Sequence, residues 1–183
     1  MKTLYSGEIY CHYHWAYIAE AGLGGSQLCW VGQRNGLCGS AAPNEIAFTF
    51  GPHTSMVNFQ ILFATDPPLI DPRWEEVVET PFVVERSSTF YLTDFNGDPY
   101  GDPMPLAAGT YRLRFSAINY NLTEQVPPTV SDEYGVMPSA LADERYELVI
   151  WPSPAYPDAV IKATTSDAKS WHRFRQDDLV SET

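Results

Sequence analysis

The chain has 183 residues, of which 44% are hydrophobic and 14% aromatic; this excludes a disordered chain and fits one domain spanning 1–183. Its 23 acidic against 11 basic side chains leave a formal net charge of -12, which opposes contact with nucleic acid or anionic lipid and favours a basic protein partner. The opening residues form no apolar signal segment and no run approaches the roughly 20 apolar residues that cross a bilayer, so a cytoplasmic protein with no membrane association is expected.

Residues 4–20 are rich in aromatic and β-branched side chains and read as a strand or the start of a hairpin. Residues 21–45 hold Gly22, Gly24, Gly25, Gly32, Gly36 and Gly39 and read as a long connecting loop, a kind often functional or mobile. Ile46–Phe50 and Val57–Thr65 alternate apolar and polar residues with the period of a strand. Trp74–Val84 and Thr89–Asp94 continue the series, and Asn96–Pro105, with its prolines and glycines, reads as a surface loop.

Gly109–Ala117 carries the clearest pattern. Tyr111, Leu113 and Phe115 alternate with Thr110, Arg112, Arg114 and Ser116, which suggests a sheet with one wet face. Residues 122–139 read as a second long loop, and Asp143–Trp151 and Ala159–Ala163 as further strands. Ser166–Phe174 reads as a short terminal helix with Ser166 as N-cap and Asp167 in its first turn. About eight strands without βαβ alternation predict an all-β, antiparallel two-sheet β-sandwich, long-looped, with that helix at its C-terminus.

The sequence carries no hydrolase, zincin, kinase or phosphate-loop motif, so neither enzymatic activity nor a cofactor is expected. His12 and His14 share one strand face and, with His53, are the weak candidates for a metal site. Asp94-x-Asn96-Gly97-Asp98 begins like a calcium loop. Pro99 stands where its glycine belongs and Pro105 where its glutamate belongs, so an Asx-rich turn is the simpler reading. Cys11, Cys29 and Cys38 are an odd number with no CxxC spacing and are expected to be buried thiols.

Charge is the positive signal. From Asp66 to Asp102 there are nine acids against Arg73 and Arg86. A negative face beside aromatic residues suits a basic partner: rings anchor, and carboxylates steer and orient. The expected contact residues are Asp71, Trp74, Glu75, Glu76, Glu79, Asp94, Asp98, Tyr100 and Asp102.

The segments FQILFATDPPLIDPRWEEVVETPFVVE, LAAGTYRLRFSAINYN and DERYELVIWPSPAYPDAVIKATTSDAKSWHR resemble bacterial cytoplasmic proteins that share their W-E-E-V-V-E, G-x-Y-R-L-R and W-P-x-P elements. More distantly, strand order from Val57 to Trp151 and the Gly109-Thr110-Tyr111 step into a strand resemble the competence protein J family, small β-sandwich inhibitors of a nuclease of DNA uptake. The resemblance implies an immunity- or inhibitor-like protein whose carboxylates stand where phosphates would lie on a basic nuclease or toxin; it transfers no individual residue. Two other readings stay open: a sugar- or calcium-binding module using Trp30, Trp74 and Tyr100, and a metal-dependent enzyme built on His12, His14 and His53.

Overall fold

A computed structural model describes residues 1–20, 24–122 and 143–181. The expected loop over 122–139 lies almost wholly outside them.

The chain opens with a hairpin of β1 (Lys2–His12) and β2 (Trp15–Glu20). Its turn is Tyr13 and His14, both left-handed at φ 52° and 71°, the twist that a two-residue hairpin loop demands. His12 faces Trp15, and beyond that pair the strands part. β1 runs antiparallel along β5 (Thr54–Phe63), while β2 lies between β4 (Glu45–Thr49) and β7 (Ser88–Asp94).

The remaining strands extend both limbs. β6 (Glu76–Val84), β9 (Gly109–Ile118), β10 (Arg145–Pro152) and β11 (Ala159–Lys162) complete the limb that holds β5. β3 (Cys38–Gly39) flanks β4, and β8 (Pro99–Leu106) flanks β7. The path reads β11-β6-β9-β10-β5-β1-β2-β4-β3, with β7 and β8 branching from β2.

This is one curled mixed sheet forming a half-barrel, which corrects the expected antiparallel two-sheet sandwich in two respects. The limbs are hydrogen-bonded to each other through the His12–Trp15 corner. β10 also pairs parallel to β5, from Arg145 opposite Asn58 to Ile150 opposite Phe63. Parallel pairing needs a long crossover, and here the intervening chain carries β6, β7, β8 and β9. The limbs close on an aromatic core: Phe48 of β4 stands 5.1 Å from Phe59 of β5 and 5.6 Å from Phe115 of β9, and Phe82 of β6 meets Phe90 of β7 at 5.8 Å.

Local expectations change as well. The reverse face of β9 is not wet: Arg112, Arg114 and Ser116 are only 6%, 7% and 1% exposed. Glu79 takes both guanidinium groups, and the remaining Nη1 donors reach the Tyr156 and Pro157 carbonyls from Arg112 and the Pro68 carbonyl from Arg114. Residues 99–106 form an edge strand where a loop was expected, because an edge tolerates residues that lack a ladder donor, here Pro99, Pro103 and Pro105. Most of the Gly-rich segment is packed: Trp30, Leu37 and Cys38 are buried, and the Asn35 side-chain Oδ1 accepts from the Leu37 and Cys38 amides.

The terminal helix α1 (Ser166–Ser181) pins that segment. Gly36 N–H donates to His172 Nδ1 at 3.0 Å, Arg175 lies 4.5 Å over the Trp30 ring, and Trp171's carbonyl leaves no room for a Cβ at Gly36. The N-cap is Thr165, one residue before the expected Ser166; its hydroxyl accepts from the Ala168 amide. Asp167 does sit in the first turn, where it accepts from Asn121.

Candidate partner-binding surface

The expected contact residues fall into two separate groups, because β6 pairs with β9 and β11 while β7 and β8 belong to the β2 limb. In the first group the carboxylates are taken up by the chain itself. Glu76 is fully buried and accepts from the Thr164 and Thr165 amides at 3.1 and 2.8 Å and from the Thr164 hydroxyl. Glu79 bridges Arg112 and Arg114. Glu75 accepts from the Asn119 amide at 2.7 Å. Asp71 forks onto Arg73, whose hydrogen bonds and charge hold its carboxyl down at about 2. Trp74 is half-buried beside them.

The second group surrounds the β7–β8 turn. Asp94 is buried: its Oδ1 accepts from the Asn96 and Asp98 amides, and Gly97 closes the turn at φ 89°. The turn's own amides thus occupy the oxygen a calcium loop would offer. Asp98 and Asp102 are exposed. Tyr100 is half-buried; its hydroxyl accepts from the Tyr10 amide, and burial, with the charges of Asp94 and Asp98, pushes its phenol up.

This turn stands beside the β1–β2 tip, and there the structure assembles a patch that composition did not disclose. The Tyr13 and Phe95 rings lie 5.2 Å apart and are 53% and 38% exposed. His12 stacks on Tyr10 at 5.9 Å and meets this pair at an angle, tilted at 4.2 Å from Tyr13 and edge-on at 5.5 Å from Phe95. The result is an exposed aromatic anchor with Asp98 on the adjoining turn. Tyr13 could have been found by treating residues 4–20 as a complete two-residue hairpin, since its tip must project.

The structure also brings His12, His14 and His53 together, with His53 centroids 6.1 Å from His12 and 5.1 Å from His14. They meet edge-on. Each Nδ1 is engaged, with Thr54 for His12 and His53 and with the Gly51 carbonyl for His14. Among the described residues no group of three or more His, Cys, Asp or Glu is arranged to hold a metal ion. The histidines belong to the aromatic patch. Trp30, expected as a loop ligand-binder, is buried beneath Arg175. No helix among the described residues is long and apolar enough to cross a membrane.

The fold has counterparts among solved proteins. The chain is distantly similar to ComJ of Bacillus subtilis, an inhibitor of the DNA-degrading activity of NucA, with a TM-score of 0.51 and 15% identity over 83% of this chain and 98% of that one. The crocagin biosynthetic gene J product aligns with a TM-score of 0.49 and 11% identity over 84% and 99% of the two chains. No family model and no curated protein matches.

Proposed function

We propose that this chain is an inhibitor-like binding protein, with no chemistry of its own, that occupies a basic protein partner of the nuclease class. The observation that carries the reading is the exposed Tyr13–Phe95 pair beside the acidic β7–β8 turn. Aromatic residues that are exposed together and rimmed by charge are the makings of an interface hot spot. Likeness in fold to a nuclease inhibitor supports the class of partner. The net charge of -12 suits a protein that competes with DNA for a basic cleft. On this reading Asp98, Asp102 and Tyr100 form the rim, and Asp71, Trp74 and Glu75 border a separate face. The protein works in the cytosol, where three thiols that form no disulfide stay reduced.

The test is capture from a lysate of the native cell at low salt, with DNA-degrading activity assayed before and after a high-salt wash. A basic partner in stoichiometric amount, released and activated by salt, is the expected result. The Tyr13→Ala, Phe95→Ala chain should lose it. Equal capture by that variant overturns the surface, and absence of any salt-released nuclease activity overturns the function.

A further inference from the structure

Away from the hairpin tip, a cavity of about 470 Å³ opens on the outer face of the sheet, roofed by the loop that joins β5 to β6. Its floor is set by strand register. Ser6 faces Gln60 across β1 and β5, Gln60 faces Glu147 across β5 and β10, and Glu147 faces Ser116 across β10 and β9. Directly opposed residues share one face, so these four polar side chains form a continuous row. Trp74 and Arg145 complete the lining that matters here.

Two features of the row are unexplained by folding. The Ser116 hydroxyl is buried, at 1% exposure, and has no hydrogen-bond partner. Such a group is rare in a native interior unless something else reaches it. Glu147 is half-buried, and burial raises its carboxyl above the usual range while Arg114 pulls less strongly the other way. The neighbouring charges are spent on one another: Arg114 on Glu79, and Arg73 on Asp71.

What remains is one acid, Glu147, one base, Arg145, the amides of Asn58 and Gln60, and two hydroxyls beside an indole. A phosphate would confront Glu147, and an ammonium group would confront Arg145. A neutral molecule whose groups each donate and accept meets no such conflict, and the apolar face of its ring suits a tryptophan wall. We infer that this cavity is a binding site for a neutral, hydroxyl-rich ligand the size of a mono- or disaccharide. It is independent of the partner surface proposed above.

The test is saturation-transfer NMR and calorimetry on the full chain. The probes are methyl α-D-glucopyranoside, methyl β-D-galactopyranoside, maltose and N-acetylglucosamine, with glucosamine and glucose 6-phosphate as charged counterparts. At least one neutral probe should bind saturably, and its charged counterparts should bind more weakly. Trp74→Ala and Glu147→Gln should each weaken binding by at least about tenfold. Ser116→Ala should weaken it without lowering the melting temperature, because it removes a hydroxyl that the fold does not use. Tyr13→Ala should leave it unchanged, so failure of the partner surface cannot mimic failure here. Absence of transfer from every neutral probe overturns the inference. So does binding that survives both Trp74→Ala and Glu147→Gln in folded variants, or tighter binding of a charged probe.

Discussion

Glu79 on β6 and Asp98 beside β8 carry the same charge and come from one acidic stretch, yet they do opposite things. β6 is flanked by β9 and β11, and its carboxylates turn to groups that the fold has already desolvated. The β7–β8 turn projects at a strand end, where water meets the carboxylate of Asp98. Acidity along a chain is therefore no map of acidity over its surface. What decides is whether the strand's neighbours supply donors.

The sharpest way to break this contrast is at Glu79. Glu79→Ala leaves two guanidinium groups buried without their counter-charge, so chemical denaturation should show a loss of about 3–5 kcal/mol. A loss under about 1 kcal/mol would mean that water already reaches those arginines.

The same inside–outside divide separates His172 from exposed His53. Burial pulls His172 down to about 4, with Asp158 opposing. The unfolded chain takes up this proton near pH 6.5 and the native chain only near 4. Stability is thus intact above 6.5 and falls by about 3 kcal/mol as the pH drops to 4. His172→Asn keeps an acceptor for Gly36 and cannot titrate, so its acid limb should be flatter over that range; identical limbs would refute the assignment.

A smaller effect is expected at Glu76. Glu76→Gln keeps one acceptor oxygen where the carboxylate had two, and thermal or denaturant melts should show a cost of about 2 kcal/mol. The smallest change in stability belongs to Asp98→Lys with Asp102→Lys, within about 0.5 kcal/mol. The same pair should slow association with a basic partner about tenfold at low salt, and stopped-flow rates that stay unchanged would remove the turn from the interface.

Period-two alternation makes β4, β5, β9 and β10 legible, and it also carries the burial of two acids. Glu76 falls in step with Val78, Thr80 and Phe82, and Asp94 with Phe90 and Leu92, so both were placed on the core side by their own strands. Glu79 was not readable in this way. It lies on the opposite face and is covered only because Arg112 and Arg114 meet it across β9, a fact of register. β8 was hidden because prolines that mark a loop also suit an edge, and β3 because two residues carry no period. The parallel β5–β10 pair joins strands some 80 positions apart, beyond the reach of local pattern. The Tyr13–Phe95 patch arises where two hairpin tips meet, which no single stretch encodes.

The three cysteines are buried, in β1, in the short 3-10 turn Gln27–Trp30 and in β3. Burial pushes Cys29 up to about 12 and Cys38 well above its usual range, so the native chain offers these two as inert thiols. An alkylating reagent can mark them only after the surrounding structure opens. Labelling rates followed by mass spectrometry would then time the opening of the packed 27–39 segment against that of the β1 strand, and the molecule carries its own stopwatch for unfolding.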